Sequence, residues 1–118
     1  MLAALSTAVL AVRGAMQARR ERAAQAWLSA HSCVVNGMDQ PTVTRTESLR
    51  LCASPLRQAA ELALELPERG RREWEFDAAV HELVAALASS DEHRVTSALD
   101  HGSRAAEALG WRSAMGAR

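Results

Sequence analysis

The sequence predicts an all-α protein, an up-down bundle of about four principal helices in which the first helix is long and the second is kinked or split. Two observations lead to this prediction. Apolar residues recur at alternating steps of three and four in four stretches of the chain, the spacing that places them on one side of an α-helix. Alanine, leucine and valine dominate the apolar residues, whereas isoleucine and tyrosine are absent, a composition typical of helices rather than of a β-sheet.

The first helix is expected to run from near residue 2 to about Val35, where Asn36-Gly37 supplies a left-handed end. At about 1.5 Å per residue it would span about 50 Å, longer than a domain of this size needs. It therefore either breaks at Gly14 or protrudes and pairs with another copy. Arg20 interrupts its apolar stripe, where an arginine either sets the register of a helix pair or extends past its neighbours to solvent. The stripe begins with Leu2, Leu5, Val9, Val12 and Met16 and continues, after Arg20, through Ala23, Trp27, Ala30 and Val34.

The first twelve residues, MLAALSTAVLAV, are almost entirely apolar, as in a signal peptide or a membrane segment. It is shorter than the roughly 20 apolar residues that a membrane-spanning helix needs, and no basic residues precede it. The stripe also continues past it to Met16. The sequence therefore predicts ordinary buried helix here, with no membrane span.

The second helical region is expected to begin at Thr44, which opens a Thr-x-x-Glu capping box. Ser54-Pro55 then predicts a bend, with Ser54 as N-cap and Pro55 at the first helical position. The region thus divides into a short helix over 45–53 and a longer one over 55–66. Its apolar stripe consists of Leu49, Cys52, Leu56, Ala59, Ala63 and Leu66.

The third and fourth helices are expected over residues 71–88 and 90–109. A capping box within Ser89-Ser90-Asp91-Glu92 opens the fourth helix, and Gly110 is expected to end it, with Trp111 folding back onto it. Residues 1–111 form one domain, and residues 112–118 a frayed tail. The two stripes consist of Phe76, Val80, Leu83 and Leu87, then Val95, Leu99, Gly102, Ala106 and Leu109.

Gly102 lies within the apolar stripe of the fourth helix. A glycine there lets another helix approach closely, and we expect it opposite a large residue such as a tryptophan.

All fourteen basic residues are arginine. The absence of lysine excludes Schiff-base catalysis and a P-loop, and it fits the codon usage of a GC-rich bacterium or its phage. The formal net charge is zero, but residues 1–32 carry four arginines against one glutamate, net +3, and residues 78–110 carry five acids against two arginines, net −3. This asymmetry suits antiparallel or intersubunit packing, or a basic face for an acidic partner.

The two cysteines, Cys33 and Cys52, do not form a C-x-x-C motif. Small secreted scaffolds are usually richer in cysteine, so the sequence favours two free thiols in a cytoplasmic protein. A disulfide that braces the end of the first helix against the second is the alternative.

No catalytic, metal or cofactor-binding residue is expected. The histidines that come nearest to a metal set, His81, His93 and His101, form no E-x-x-H or H-x-x-x-H pair, and surface histidines are the simpler interpretation. Cys33 lies near the C-terminal end of a helix, where the dipole disfavours a thiolate.

Two helix faces are candidate protein-binding surfaces. On the third helix, Trp74, Ala78, His81 and Ala85 lie nearly opposite the core stripe and have Arg71 and Arg72 beside them, so this face meets either a partner or the first helix of its own chain. On the first helix, the seam of a homodimer would consist of Leu5, Val9, Val12 and Met16.

The sequence therefore predicts a small non-enzymatic adaptor, regulatory or assembly module that self-associates, as a dimer, and binds another protein. One alternative is a nucleic-acid-associated regulator. A pI near 6.9 argues against it, and a solvated face is the simpler interpretation of its basic cluster, Arg13, Arg19, Arg20 and Arg22. The other alternative is a metal- or small-molecule-binding bundle that uses His81 and its neighbours.

Overall fold

The computed structural model describes residues 2–111, with side chains from residue 7 onward, and confirms the all-α bundle. The predicted tail and the side chains of Leu2 and Leu5 lie outside this description. No strand occurs in the part of the chain that is described. The helices are α1 Leu2–Met38, α2 Thr42–Arg50, α3 Ala53–Leu64, α4 Arg71–Ser89 and α5 Glu92–Ala108.

The helices pack in chain order. The C-terminal part of α1 packs on α3, α3 packs on α4, and α4 packs on α5, whereas the short α2 contacts both α1 and α4. Short connections between α3, α4 and α5 enforce the up-down arrangement, as expected for a bundle.

The first helix is continuous and ends three residues later than the sequence predicted. It passes without a break through Gly14 and through Asn36-Gly37 to Met38. A Cβ added to Gly14 would have no neighbouring atom within 4 Å. The predicted helix end at Asn36-Gly37 is therefore wrong. A Cβ on Gly37 would lie 2.8 Å from Leu49 Cδ2, so this glycine allows α2 to approach α1 rather than a turn to form.

The bend in the second helical region is confirmed, but its predicted capping residues are wrong. Helix α2 begins after Pro41, and the hydroxyl of Thr44 donates to the Pro41 carbonyl instead of capping. Cys52, not Ser54, is in the N-cap position of α3 and has helical backbone angles. Pro55 is the third residue of α3, still within the first turn, where a backbone N–H has no partner inside the helix.

Helices α4 and α5 meet in a sharp turn at Ser90, whose φ of 60° is left-handed. Asp91 caps α5, because its carboxylate accepts the backbone N–H of Arg94 at 3.2 Å. Ser89, the predicted start of the capping box, instead ends α4, and its hydroxyl donates to the Ala86 carbonyl at 2.6 Å. The predicted capping box is therefore wrong: the N-cap is Asp91, two residues later, and the residue three positions after it is Arg94 rather than Glu or Gln.

The predicted end of the last helix is confirmed. Gly110 has a φ of +81°, and its N–H donates to the Glu107 carbonyl at 2.9 Å, while the Trp111 N–H donates to the Ala106 carbonyl at 3.2 Å. These two bonds define a Schellman motif, which requires the left-handed conformation that glycine adopts readily. The motif turns Trp111 back onto the bundle, where it is 5% exposed.

Three aromatic rings form the centre of the core. Trp27 of α1 and Phe76 of α4 are fully buried and meet edge to face with ring centroids 5.4 Å apart, and the Trp111 ring also meets Phe76 edge to face, at 4.9 Å. His31 lies one turn from Trp27 with its ring at 5.7 Å, and burial lowers the pKa of this histidine. The aromatic rings therefore join α1, α4 and the end of α5.

Gly102 of α5 meets Trp27, as its place in the stripe predicted: a Cβ on this glycine would lie 3.0 Å from Trp27 Cη2. We expect Gly102→Val to lower the free energy of unfolding by about 1–3 kcal/mol, because the added carbons press α5 away from the indole. Urea denaturation followed by circular dichroism measures this change. Gly14→Val, at an open position, is the control and should stay within about 1 kcal/mol of wild type. Equal losses in the two variants would mean that the contact with Trp27 does not limit packing.

The two cysteines form a disulfide between Cys33 of α1 and Cys52 at the α2–α3 bend. The prediction of free thiols is therefore wrong. Cys52 belongs to the apolar stripe of the second helical region, Cys33 directly precedes the stripe residue Val34, and their Cα atoms are 5.7 Å apart, within the range that a disulfide spans. Because disulfides persist mainly in oxidising compartments, this pair gives no support to the predicted cytoplasmic location.

Candidate functional site

The N-terminal half of α1 projects from the bundle. We call residues 7–22 the arm. At a helical rise of about 1.5 Å per residue, the arm is about 24 Å long. All of them are exposed except Met16, which is half-buried, and burial in the core begins only at Ala23. The arm therefore leaves much of the first predicted apolar stripe in solvent.

The exposed face of the arm continues the buried face of the same helix. Val9, Val12 and Met16 follow the three-and-four spacing that, after Arg20, leads to the buried residues Ala23, Trp27, Ala30 and Val34. Val9 is 50% exposed and Val12 59%. The helix thus presents to solvent the side that it buries elsewhere, a pattern typical of a surface that has a partner.

The prediction that the first twelve residues are buried helix is therefore only half right. They are helical from Leu2, but the side chains of residues 7–12 are exposed. The reason is length, because α1 has 37 residues whereas α3, the helix on which it packs, has 12. No described helix is long enough to cover the arm.

An ion pair fixes the base of the arm. The Arg20 guanidinium donates through Nε to the Glu68 carboxylate at 2.6 Å, and this bond lowers the pKa of Glu68. The Arg20 side chain thus extends from the apolar stripe to the surface, which is one of the two arrangements predicted for an arginine at this position. Because Glu68 lies in the turn before α4, the arm starts beside the first residues of α4.

The second candidate surface is on α4. Trp74, Ala78, His81 and Ala85 are all exposed; Trp74 is 56% and the His81 side chain 67% exposed. We call these four residues the α4 outer face. The alternative that this face packs against the first helix of its own chain is therefore wrong. An exposed tryptophan on a rigid helix is a typical anchor of a protein interface.

Charged residues flank the α4 outer face. Glu75 accepts from Arg71 Nε at 2.9 Å, and Glu82 Oε2 lies 2.8 Å from His101 Nδ1 on α5. Both carboxylates stay more than half exposed. His81 Nδ1 lies 2.9 Å from the backbone oxygen of Asp77, and Arg72 is exposed at the start of the helix. Glu75 and Glu82 thus border this face along its length, whereas Arg71 and Arg72 lie at its Trp74 end.

The four arginines of the predicted basic cluster do not form one surface. Arg20 is paired with Glu68. Arg19 and Arg22 line a cavity of about 240 Å³ together with Leu62 of α3 and Glu65, the C-cap residue of α3. Arg13 lies closer to the N-terminal end of the arm. Phosphate binding by all four together would require them to face one strand of nucleic acid.

The histidines also stay apart. Among residues 2–111, no group of three or more His, Cys, Asp and Glu side chains is placed to hold a metal ion. His81 and His101 each contact one acidic residue, Asp77 and Glu82 respectively.

An open cavity of about 370 Å³ at the α2–α3 bend is lined by Thr46, Arg50, Ala53, Arg57, Val84, Leu87, Ala88 and Ser90.

Comparison with models of known protein families, with curated protein sequences and with solved structures finds no match. Among the described helices, none combines the length and the apolar character that crossing a membrane demands. Inferences about function therefore rest on the two exposed helix faces.

Sequence reasoning missed the acidic residues around these faces. Glu68 lies in a turn, and only the fold shows that it meets Arg20. Glu75 and Glu82, in contrast, are seven residues apart and directly follow Trp74 and His81. That heptad spacing marks them as flanking positions of the α4 outer face, so the signal was present in the sequence.

Proposed function

We propose that this chain is a helical protein-interaction module that self-associates, as a dimer, through the arm. The observation that carries the proposal is the apolar stripe of α1, which is interrupted at Arg20, buried from Ala23 onward and exposed at Val9 and Val12. Burying one valine side chain contributes about 1.5 kcal/mol, and a symmetric dimer uses each arm residue twice. Several arm residues of both copies must therefore be buried together to offset the free-energy cost of association.

The test compares two sides of the same arm. Val9→Glu combined with Val12→Glu places charges on the apolar face, and we expect the dimer dissociation constant to rise about 100-fold or more, since each 1.4 kcal/mol corresponds to a factor of ten. Sedimentation equilibrium over a range of protein concentrations measures this change.

Leu10→Glu is the matched control. Leu10 is 65% exposed but lies between the stripe positions Val9 and Val12, off the apolar face. We expect this variant to dimerise like wild type, and both variants to keep the thermal stability of the bundle, whose core starts at Ala23. A wild-type chain that stays monomeric would refute the proposal, and so would equal disruption by Leu10→Glu.

A further inference from the structure

We propose that the arm of one copy docks on the α4 outer face of a second copy, so that the two chains of a dimer exchange their arms. This inference rests on the proposed self-association and names the surface that receives the arm. Three properties of the two helix faces carry it: their spacing, the sizes of their side chains and their charges.

The spacing of the two faces matches. Val9, Val12 and Met16 recur at steps of three and four, and so do Trp74, Ala78, His81 and Ala85. Both series therefore follow the 3.5-residue repeat at which two helices keep one seam in contact. The arm extends over about 24 Å, and the α4 outer face, at about 1.5 Å per residue, over about 17 Å, so the arm is long enough to cover it.

The side chains on the two faces are complementary in size. The arm presents two valines and a methionine, whereas the α4 outer face has alanines at Ala78 and Ala85. Alanines on one helix leave room into which larger side chains of the other helix insert, and this lets the two backbones approach closely. Trp74 lies at the end of the face and provides a large apolar area against the arm.

The charges are complementary too. Helix α4 contains four carboxylates against two arginines at its start, Arg71 and Arg72, and Glu75 and Glu82 border the face. The arm carries four arginines against one glutamate, and Arg13, which lies between Val12 and Met16, is the arginine within the docking segment, whereas Arg20 bonds Glu68. Pairing of two arms with each other would instead bring arginines of like charge together. Opposite charges at flanking positions select the partner helix, so these borders favour α4 over a second arm.

The placement of the two faces allows reciprocal exchange. Because Arg20 of the arm base bonds Glu68, and α4 begins at Arg71, the Trp74 end of the α4 outer face lies at the end of the bundle from which the arm projects. A second copy that approaches this end can lay its arm along α4 while it receives the first copy's arm. Two identical contacts of this kind close a two-fold dimer.

The experiment separates arm–α4 docking from arm–arm pairing by complementation. The arm variant carries Val9→Glu with Val12→Glu. The face variant carries Ala78→Arg with Ala85→Arg, two exposed positions where arginine, a good helix former, blocks the seam and repels the arm. Ala18→Arg with Ala108→Arg adds the same charge at exposed positions off both stripes and serves as the control. Circular dichroism verifies that each variant is folded.

We expect the face variant to be as monomeric as the arm variant, and the control to dimerise. In an equal mixture, the intact arm of the face variant meets the intact α4 of the arm variant, so mixed dimers form with one good contact. Sedimentation velocity with one variant fluorescently labelled should give a mixed-dimer dissociation constant at least tenfold lower than that of either variant alone.

The remaining outcomes are decisive as well. A face variant that dimerises like wild type overturns arm–α4 docking and leaves self-association through the arm intact. A monomeric face variant that the arm variant does not complement also overturns the exchange. A wild-type chain that is monomeric throughout overturns both this inference and the proposed function.

Discussion

Trp27→Ala is expected to lower the free energy of unfolding by about 3–5 kcal/mol, the range for removing a buried aromatic side chain. The indole is fully buried, contacts Phe76 and fills the space that Gly102 leaves on α5. Domains of this size have about 5–15 kcal/mol of stability in total, so the variant should lose a large part of it. Urea denaturation followed by circular dichroism measures the loss.

Trp74→Ala is the matched control, because it removes the same side chain from an exposed site. We expect it to change the stability of the monomer by less than about 0.5 kcal/mol. Trp27→Phe should lose an amount of stability between the losses of Trp27→Ala and Trp74→Ala. It keeps an aromatic ring and removes the indole N–H, which is buried without a hydrogen-bond partner in the described part of the chain. Equal losses for Trp27→Ala and Trp74→Ala would contradict the assignment of Trp27 to the core.

Reduction of the disulfide is expected to lower the free energy of unfolding by about 3 kcal/mol, because a cross-link over a loop of this length limits the unfolded chain. Cys33 and Cys52 are separated by 19 positions and join α1 to the α2–α3 bend. Urea denaturation of the wild-type chain with and without dithiothreitol measures the difference.

The control for this experiment is Cys33→Ala combined with Cys52→Ala. Its stability should match that of the reduced wild type to within about 1 kcal/mol, since Cys52 is a small buried residue, and it should not respond to dithiothreitol. A wild-type chain with the same stability in both conditions would show that the two thiols are not joined in solution.

The sequence predicted the architecture because apolar periodicity reports directly which side of a helix is buried. The four stripes recovered the helices, and two glycines were interpreted correctly from their context. Gly110 follows the last apolar position and ends α5, and Gly102 lies within a stripe and faces Trp27. In both cases the local pattern contains the physical reason for the glycine.

Helix ends were predicted less well because several residues compete for the same role. Asn36-Gly37 has the composition of a helix end, but α1 continues through both residues, and Gly37 instead leaves room for Leu49 of α2. Ser89 and Asp91 are both good caps, and the left-handed Ser90 between them decides that Asp91 is the one used. The disulfide was missed because cysteine number does not show which helices are neighbours, and only the fold places Cys33 of α1 beside Cys52 at the α2–α3 bend.

The candidate surfaces could be predicted only in part. The sequence showed that Trp74 and its neighbours lie opposite the core stripe of α4, but not whether the chain covers them itself. It also showed a first helix that is too long, without deciding between a break at Gly14 and a projection. Both questions depend on where the other helices end, and this is a property of the whole fold.

The molar mass of the wild-type chain in solution is the most direct test of self-association through the arm. We expect sedimentation equilibrium to give twice the 12.7 kDa of the chain at high concentration, with dissociation on dilution and loss of the dimer in the Val9→Glu, Val12→Glu variant. A mass of 12.7 kDa at every concentration would contradict the account, because the apolar face of the arm would then remain in solvent without a second copy to cover it.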